Sequence, residues 1–481
     1  MIDTKALRSR VLDLAIQGKL TEQLESDGTT EELYQQIQAE KQRLIKEGKI
    51  SPKPVPDVTD ADIPFDIPKG WRFVRFGDVA YIVRGGSPRP IKAYMTTAEN
   101  GINWIKIGDV EKGCKYILKT KEKIKPEGEK KSRRVYPGDF LLTNSMSFGR
   151  PYISKIEGCI HDGWLLIRNL NAFDVDFLYH LLSSAYLYRM FCDKASGSTV
   201  DNLNIDKVNS ALIPLPPLAE QKRIVARVEE IFRLLDIIDA AQEQYAADAE
   251  SLKAKLITLG IQGRLTEQLE SDGTAEELYQ QIQAEKQWLI KEGKIKREKP
   301  LPEITPDEIP FEIPENWKWV RLGDVYSVNP PVHADTNIDA AFIPMERISA
   351  GYSRDFSFEV QNWGKASNNH TKFADGDVAF AKITPCFENR KSFIANGLPN
   401  AIGGGTTELI ILRQRMINSD YTYLLIIDQR FIDAGVASYK GTAGQQRIKP
   451  DMVKNYLIPL PPLAEQKRIA ETLERVLGVL A

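Results

Sequence analysis

The sequence predicts an α+β protein, arranged as a pseudo-two-fold tandem repeat of two α+β globules that are separated by long antiparallel coiled-coil helices. Three observations support this fold class. Nearly identical blocks recur in the two halves of the chain, a heptad pattern of apolar residues runs through its centre, and short β-rich runs precede a helical pattern in the divergent stretches. The chain has 481 residues, of which 42% are hydrophobic, and this is enough for more than one buried core.

The repeat is clearest in a block of 35 residues that begins at Ile16 and returns at Ile261, 245 positions later. A second shared block, LIPLPPLAEQKRI, starts at Leu212 and again at Leu457, at the same offset. A period this long, present twice, indicates a pair of domains rather than a solenoid. Three positions of the 35-residue block differ: Lys19 against Arg264, Thr30 against Ala275, and Arg43 against Trp288.

Two divergent stretches, residues 71–211 and 317–456, lie between the shared blocks. The first contains β-rich runs such as WRFVRF and FLLTN and then one helical pattern near FDVDFLYHLLSSAYLYRMF. Weak correspondence survives, because PGDF at Pro137 matches DGDV at Asp375. Uniform drift would not leave the neighbouring blocks almost unchanged, so the two stretches are expected to do different jobs on one shared scaffold.

Apolar residues in the central helical segment follow alternating steps of four and three for five heptads, which is typical of a coiled-coil seam. Two prolines precede the first turn, and Gly260 and Gly263 are expected to end the helix after roughly 60 Å. The alternative is a surface helix with an apolar stripe, but the regularity of the pattern favours a coiled coil. The seam residues are Ile224, Val228, Ile231, Leu235, Ile238, Tyr245, Ala249, Leu252, Leu256 and Leu259.

The two ends of the sequence are expected to complete this arrangement. The C-terminal helix repeats the front half of the seam, and Leu7, Val11 and Leu14 repeat its back half. Together the terminal helices would form the pseudo-equivalent of the central helix, antiparallel to it. The predicted segments are an N-terminal helical region (1–50), a first globule with a Pro-rich lead-in (51–211), a central coiled-coil region (212–295), a second globule with a Pro-rich lead-in (296–456) and a C-terminal helix (457–481).

Composition excludes several classes of protein. Lys and Arg number 64 and Asp and Glu number 66, so the net charge of −2 gives no global attraction to nucleic acid, and any basic site must be local. The four cysteines are too far apart for a metal knuckle and too few for a disulfide scaffold, which favours a reduced, cytoplasmic protein. No apolar run approaches the ~20 residues that span a bilayer, so no membrane contact is expected.

The order of motifs resembles that of a known family. Each half has a W-x-x-V-x-x-G-D-V motif, at Trp71 and at Trp317. A G-D strand follows at Gly138 and Gly376, and then the I-P-L-P-P-L-A-E-Q-K-R-I element precedes a heptad helix. This organisation is similar to that of the specificity subunits of type I restriction-modification systems, and the resemblance covers the whole chain.

The resemblance implies that each globule is a target recognition domain that reads one half of a bipartite site in double-stranded DNA. The helices would act as a spacer and as a docking surface for two methyltransferase (M) subunits and for restriction or translocase (R) subunits. The chain would carry no chemistry and no cofactor, since S-adenosylmethionine, ATP and Mg are expected on partner subunits only. The alternatives are a solitary or fused DNA adenine methyltransferase or nuclease, and a structural coiled-coil scaffold, which would not explain two divergent globules.

Three motifs that could carry chemistry are better explained by structure. The N-P-P tripeptide at Asn329 lacks the closing aromatic residue and the glycine-rich cofactor loop of adenine methyltransferases, so a loop turn is expected. The glycines at 403–405 are not followed by a P-loop lysine, so a flexible turn is expected there. The histidines are never spaced as metal ligands: His161, His180, His333 and His370. We therefore predict no catalytic residue and no metal site.

Local basic and polar loops are the predicted DNA contacts. Residues 119–134 carry eight basic side chains against three acidic ones, enough for a phosphate-facing patch. Loops with forked donors could read base edges, although loops of this composition also simply cap strands. In the first globule the candidates are Arg84, Arg89, Lys92, Asn144, Ser145, Ser147, Arg150, Thr199 and Asn202. In the second they are His333, Arg347, Lys365, Lys382, Thr384, Asn389, Arg390, Lys391, Thr442, Gln445, Gln446 and Arg447.

Overall fold

The computed structural model describes residues 1–51, 54–111, 113–144, 149–192, 203, 205–439 and 446–480. The chain divides into two units, residues 1–243 and 244–481, which we call unit 1 and unit 2. The division falls inside one long helix, Leu218–Ile261, so this helix contributes its first half to unit 1 and its second half to unit 2.

The helices of unit 1 begin at residues that suit a helix N-terminus. Asp3 caps the first helix by accepting a hydrogen bond from the Ala6 amide at 2.9 Å, and Thr29 caps the second by accepting one from the Glu32 amide at 3.4 Å. The helices are α1 (Thr4–Ile16), α2 (Thr30–Lys46), α3 (Phe76–Val79), α4 (Ile91–Tyr94), α5 (Val175–Leu182), α6 (Ala185–Cys192), α7 (Ile205–Ser210) and α8 (Leu218–Ile261). Short 3-10 turns occupy Glu25–Asp27, Asp60–Asp62, Ile107–Asp109 and Pro126–Lys131.

The strands of unit 1 are β1 (Arg72–Arg75), β2 (Ala80–Arg84), β3 (Met95–Thr96), β4 (Ile102–Ile105), β5 (Tyr116–Ile117), β6 (Glu122–Ile124), β7 (Arg133–Val135), β8 (Phe140–Thr143), β9 (Pro151–Ser154), β10 (Gly158–Ile160), β11 (Trp164–Asn169) and β12 (Leu212–Leu215). They form sheets of order β3-β6-β4-β10-β7 and β2-β11-β8-β9-β5, with a separate β1-β12 pair. Side chains alternate across β11, so Leu165 and Ile167 enter one core while Trp164 and Leu166 enter another.

Unit 2 repeats this plan with shorter sheets. Its helices are α9 (Ala275–Lys291), α10 (Leu322–Val325), α11 (Trp363–Ala366), α12 (Ser419–Ile427), α13 (Gln429–Ala437), α14 (Pro450–Asn455) and α15 (Leu463–Val479). Its strands are β13 (Lys318–Arg321), β14 (Tyr326–Val328), β15 (Asp339–Ile343), β16 (Glu359–Asn362), β17 (Thr371–Ala374), β18 (Val378–Ala381), β19 (Ser392–Ile394), β20 (Ile402–Gly405), β21 (Leu409–Gln414) and β22 (Leu457–Leu460). The sheet orders are β14-β21-β18-β19 and β16-β15-β20-β17, with a β13-β22 pair. Its 3-10 turns are Glu270–Asp272, Pro306–Glu308, Met345–Arg347 and Pro399–Ala401.

The shared blocks build the same contacts in both units, which confirms the predicted α+β tandem repeat. The Pro-rich block forms a strand, and this strand pairs antiparallel with the strand of the W-x-x-V motif: β12 with β1, and β22 with β13. At the end of β1 the buried Arg75 donates to the main-chain carbonyls of Pro56, Asp57 and Ser210. Arg321 makes the equivalent contacts in unit 2. Each arginine therefore ties the Pro-rich lead-in to the segment before the closing strand.

Unit 1 contains an antiparallel helix pair formed by α1 and the first half of α8. The Thr4 hydroxyl donates to Asp239 at 2.5 Å, and Arg8 pairs with Asp236 at 2.8 Å. Residue numbers rise along one helix as they fall along the other, so the two helices run in opposite directions. No helix in the described part of the chain is long and apolar enough to cross a membrane.

Unit 2 contains the matching pair, formed by the second half of α8 and by α15. The space beside Gly260 is closed by Ile469 and Leu473 of α15. Gly260 is the second-last residue of α8 and packs against α15, so the helix ends between Gly260 and Gly263, where the sequence predicted its end. Gly263, which follows the last residue of α8 by two positions, has a φ of +69° and takes the left-handed conformation common after helix ends.

The buried face of the helices agrees with the predicted seam only in part. Four seam residues are buried as predicted: Ile224, Val228, Leu235 and Ala249. Leu7 of α1 and Leu252 of α8 are 43% and 44% exposed, although the heptad pattern places both in the seam. Leu12 and Ile16 are buried instead, because they join the core of the globule together with residues such as Phe177. The apolar stripe of α1 therefore packs on the globule as well as on the partner helix, since the same core includes Ile224 and Val228 of α8.

The single helix expected after β11 is two helices, α5 and α6. Ser184, which is fully buried between them, donates from its hydroxyl to the Leu181 carbonyl at 2.7 Å. The same hydroxyl accepts from the Leu187 amide at 3.2 Å. One serine side chain therefore closes the first helix and caps the second, which breaks an otherwise continuous apolar pattern.

The glycines at 403–405 form strand β20 and not the flexible turn that the sequence suggested. The strand lies between β15 and β17, and all three glycines are buried. A Cβ atom at Gly404 would lie 1.8 Å from the Ala366 carbonyl oxygen, and one at Gly403 would lie 2.3 Å from the Phe373 ring. Glycine is therefore required because α11 and an aromatic ring lie directly on the strand.

We predict that Gly404→Ala lowers the free energy of unfolding by about 3 kcal/mol, since the new methyl group must displace a main-chain carbonyl. Gly108→Ala serves as the control, because nothing lies within 4 Å of its Cβ position; a change within about 0.5 kcal/mol is expected. Urea unfolding followed by circular dichroism measures both. Equal stabilities of the two variants would contradict the assignment of the glycines to a packed strand.

We also predict that His180 makes stability depend on pH. Its ring packs edge-on against Phe232 at 5.8 Å, and its Nε2 has no hydrogen-bond partner in the part of the chain that the structure describes. Burial, helped by the Lys115 cation, lowers the pKa of His180 to about 4. The unfolded chain takes up this proton near pH 6.5, so stability should fall as the pH drops from about 6.5 towards 4, by up to about 3 kcal/mol.

The variant His180→Leu, which places the residue type of the unit 2 counterpart Leu424 there, should remove this pH dependence. Unfolding at pH 8 and at pH 5 measures it, with the exposed His333→Gln as control. If wild type and His180→Leu lose the same stability between the two pH values, the buried histidine is not the cause.

Candidate nucleic-acid interface

A cleft of about 760 Å³ opens in unit 1 where the loop after β2 meets the turn between β10 and β11. The charged and aromatic residues that line it are Arg89, Trp104, Lys106, His161 and Asp162. Both five-stranded sheets contribute to it, since β2 and β11 belong to one and β4 and β10 to the other. The cleft therefore collects loop residues from two sheets at one place.

Two glycines allow the loop after β2 to approach the turn. A Cβ atom at Gly85 would lie 2.2 Å from the His161 carbonyl oxygen, and one at Gly86 would lie 2.8 Å from the Lys131 carbonyl oxygen. The Gly86 amide donates to the Ile160 carbonyl at 3.2 Å. Main-chain contacts therefore hold the loop in place. The residues that follow the two glycines, such as Ser87 and Arg89, are attached to a fixed main chain.

Asp162 is the polar centre of the cleft. Its carboxylate accepts from the Ser87 hydroxyl at 2.9 Å and lies 3.5 Å from the Arg89 guanidinium, while Arg84 donates to its carbonyl oxygen at 3.1 Å. Burial opposes its ionisation, but the Ser87 hydrogen bond and the nearby cations outweigh this effect and hold the pKa of Asp162 below its usual value. The cleft presents an ionised carboxylate beside an arginine side chain that is 83% exposed.

The structure separates the other candidates of unit 1. Lys92 is exposed on α4, directly after the cleft residues. Asn144 is fully buried at the end of β8, and its side-chain amide has no hydrogen-bond partner among the described residues. Arg150 is exposed and borders a second cleft, of about 820 Å³, beside α1 and α5. Four candidates lie outside the described residues: Ser145, Ser147, Thr199 and Asn202.

Four candidates of unit 2 meet where β18 ends. The Lys382 amide donates to the Glu408 carbonyl at 2.8 Å, and the Thr384 amide donates to the Gln446 carbonyl at 3.0 Å. Arg447 forms a forked pair with the Glu408 carboxylate through Nε and Nη2, both at 2.9 Å, and this hydrogen bonding raises the pKa of the guanidinium. The arginine is thus held in place by an acid. Two candidates lie outside the described residues: Thr442 and Gln445.

The segment 389–391 is largely engaged in the fold of unit 2. Arg390 donates from Nε to the last carbonyl of α12 at 2.9 Å, and its guanidinium lies 5.1 Å from the centre of the Tyr352 ring. Lys391 donates to the Met345 carbonyl at 2.9 Å. Asn389 is exposed. The two cations therefore connect loops of the unit to each other.

The remaining candidates of unit 2 lie around the other sheet. His333 is exposed on the segment before β15, and Lys365 is exposed on α11. Arg347 follows β15 in a 3-10 turn and pairs with Glu359 at 2.8 Å. The candidates of unit 2 therefore fall into two groups, one at the end of β18 and one around β15.

The basic stretch of residues 119–134 is folded as β6, a 3-10 turn and β7. Several of its cations are bound within unit 1. Lys125 donates to a carbonyl of α4 at 2.9 Å, Lys131 donates to the tyrosine hydroxyl at the end of α4 at 2.7 Å, and Arg134 pairs with Glu157 at 2.7 Å. The stretch is therefore a folded segment that packs beside α4, and fewer of its cations are available to a ligand than its composition suggests.

The sequence reasoning missed the acids that hold the candidate arginines, Asp162 and Glu408. Basic and amide side chains mark a possible DNA contact in a sequence, whereas composition does not mark an acid as part of a DNA site. Asp162 could have been found only from the pairing of β2 with β11, which brings residues 84 and 165 opposite each other. Only the pairing of strands shows which acid lies beside which arginine, because it brings together loops that are distant in sequence.

The motifs with possible chemistry have structural explanations. Asn329 has a φ of +52°, and its amide oxygen accepts from the Ile411 amide at 2.9 Å, so the N-P-P segment is a loop turn, as predicted. Its side chain is engaged in this turn. Among the described residues no group of three His, Cys, Asp or Glu side chains is arranged to hold a metal ion.

The comparison with known proteins agrees with the repeated architecture. The family model for the type I restriction modification DNA specificity domain matches residues 68–244 and 314–479. The chain belongs to this family. Each unit carries one copy of the specificity domain, and the start of each matched range lies just before the W-x-x-V motif.

Relatives in the family include specificity subunits of named restriction enzymes. The chain is 40% identical over 231 residues to the EcoEI specificity subunit and 42% identical over 223 residues to the EcoAI specificity subunit, both of Escherichia coli. These matches cover 47% and 46% of this chain but only 39% and 38% of the relatives. The MjaIX specificity subunit of Methanocaldococcus jannaschii is 23% identical over 406 residues, which cover 82% of this chain and 84% of that one.

Solved structures share the fold of the specificity domain pair. A chain from a study of complex assembly and conformational transition in a type I restriction-modification system aligns with a TM-score of 0.59. The HsdS subunit of Thermoanaerobacter tengcongensis aligns with a TM-score of 0.50. Both are 19% identical and cover 87% of this chain and 92% of the other.

We predict that Arg390→Ala lowers the free energy of unfolding by roughly 2 kcal/mol, because a charged hydrogen bond to a main-chain carbonyl and an aromatic contact are lost. Lys92→Ala, at an exposed position of α4, is the control and should change stability by less than about 0.5 kcal/mol. Thermal unfolding measures both variants. If Arg390→Ala is as stable as the wild type, Arg390 is not needed for folding and remains a candidate DNA contact.

Proposed function

We propose that this chain is the specificity subunit of a type I restriction-modification complex. Each unit reads one half of a bipartite site in double-stranded DNA, and the shared blocks dock two methyltransferase subunits and the restriction or translocase subunits. The chain carries no chemistry of its own. S-adenosylmethionine, ATP and Mg belong to the partner subunits, and the complex works in the cytoplasm.

The observation that carries this proposal is the contrast between the shared blocks, which make matching contacts, and the loops of the two globules, which differ. The indole of Trp71 donates to Glu220 at 2.7 Å, and the indole of Trp317 donates to Glu465 at 2.8 Å, so the two attachments match bond for bond. The loops differ: unit 1 has the Asp162 cleft, whereas unit 2 has a forked acid–arginine pair at the end of β18. Equal attachments suit identical partner subunits, and different loops suit different DNA half-sites.

We predict that exchanging residues 71–211 for the matching stretch of a relative changes one half of the recognised site and leaves the other half unchanged. The boundaries lie in the shared blocks, so the new globule meets the same strand and the same buried carboxylate. Selection of bound duplexes from a randomised library, with the methyltransferase subunits present, measures the site. The matched control exchanges residues 317–456 and should change the opposite half. A simultaneous change of both halves would show that the units do not read independently.

The alternative of a solitary adenine methyltransferase has a direct test. The chain alone is incubated with DNA and S-adenosylmethionine that carries a tritiated methyl group. Our proposal expects no turnover until methyltransferase subunits are added. The engagement of the Asn329 side chain with the Ile411 amide supports this expectation. Methyl transfer by the chain alone would contradict the proposal.

A further inference from the structure

We propose that Arg89 and Asp162 of unit 1 together read one G·C base pair in the major groove. Arg89 donates to the guanine, and Asp162 accepts from the amine of the cytosine. This inference rests on the proposed function of the chain as a DNA-reading subunit. It adds the identity of one base pair and the two side chains that select it.

The two side chains are complementary to the edge of that base pair. In the major groove guanine offers two acceptors, N7 and O6, and its partner cytosine offers the donor N4 beside them. Arg89 supplies a fork of donors and Asp162 supplies an acceptor, and their Nη2 and Oδ2 atoms are 3.5 Å apart. Groups that face O6 and N4 must be neighbours in this way, because those two atoms are hydrogen-bonded to each other. An A·T pair alternates acceptor, donor and acceptor, so the fork would meet a donor.

The exposure and the fixed position of Asp162 favour a reading role. An acid on a surface that faces DNA is repelled by the phosphates, so it is unfavourable unless it meets a base amine. The Asp162 side chain is 46% exposed, and yet its Oδ1 is held by the Ser87 hydroxyl at 2.9 Å. Arg84 fixes the main chain at the same residue. The acceptor is therefore oriented before DNA arrives, which lowers the ordering cost of binding.

The second unit does not offer this pair. Trp164 lies opposite Thr143 in unit 1, and Leu409 lies opposite Ala381 in unit 2, so the two strands align in register. Counting back two residues places Thr407 where unit 1 has Asp162. The effect of changing the pair should therefore be confined to one half of the bipartite site.

The first test uses the wild-type chain in complex with its methyltransferase subunits and a library of randomised duplexes. We expect an invariant G·C pair in at least one half-site. Replacing its guanine by 7-deazaguanine, which lacks the N7 acceptor, should weaken binding roughly fivefold or more. The same replacement outside the two half-sites is the control and should change nothing. Absence of an invariant G·C pair from both half-sites, or no effect of any invariant guanine's replacement, overturns the inference.

The second test uses the variants Arg89→Ala and Asp162→Asn in the same selection. Asp162→Asn keeps an oxygen for Ser87 but turns a donor towards the cytosine amine, while Arg89 still disfavours A·T, so the preference for G·C at one position should weaken. Arg89→Ala should reduce discrimination at that same position by roughly 5- to 150-fold. Arg10→Ala, at an exposed position of α1, is the control and should leave the selected site unchanged. The other half-site should be unchanged in all three variants.

Several results would overturn the inference and leave the proposed function intact. Uniform weakening with an unchanged site in Arg89→Ala would show that Arg89 contacts a phosphate. An unchanged site and unchanged affinity in both variants would show that the pair does not face DNA. Failure of the wild-type complex to select any site contradicts the proposed function itself and the inference with it. Thermal unfolding identifies a variant that does not fold, and the 7-deazaguanine experiment then decides.

Discussion

A buried carboxylate in the first turn of each long helix holds the shared blocks together. Glu220 is 2% exposed and Glu465 is fully buried, and burial raises the pKa of both carboxyl groups. The cost of burying a charge is offset by the indole N–H of Trp71 or Trp317, by a threonine hydroxyl and by the partial positive charge of the helix N-terminus. Loss of the carboxylate would leave a buried indole donor unpaired and would remove this contact between the W-x-x-V motif and the helix.

The neighbouring glutamine explains how divergent globules attach to nearly identical blocks. Gln221 donates to the carbonyls of Ala172 and Pro216 and accepts from the Asp174 amide at 2.7 Å. In unit 2, Gln466 accepts the equivalent hydrogen bond from the Asn418 amide at 2.9 Å. These contacts reach the globule through main-chain atoms, which every residue type provides. A globule can therefore change its side chains and keep its attachment, so sequence can diverge in the loops while the blocks beneath remain constant.

The repeat, the long helices and the α+β character could be predicted from the sequence because each depends on local pattern. The glycine strand could not, since the need for Gly404 arises from the Ala366 carbonyl, 38 positions away in sequence, and the break at Ser184 depends on one hydroxyl within an apolar run. The heptad seam was predicted correctly at Ile224 and Val228 and wrongly at Leu7, for a related reason. A helical stripe shows that one face is buried, but it does not show whether a helix or a globule covers it, and Leu12 and Ile16 pack on the globule.

The sequence named candidate hydrogen-bond donors but not the acids that lie beside two of them, and these acids determine how available each donor is. Arg447 is bound through two nitrogen atoms to Glu408, so a base or phosphate that recruits this arginine must compete with an ionised carboxylate. Arg89 lies 3.5 Å from Asp162 and its side chain is 83% exposed, so its fork is accessible to a base. Two arginines with the same sequence-level signature therefore differ in availability, because strand pairing places an acid at a different distance from each. A search for DNA-reading residues in this family should weigh each arginine together with the acid that its sheet brings beside it.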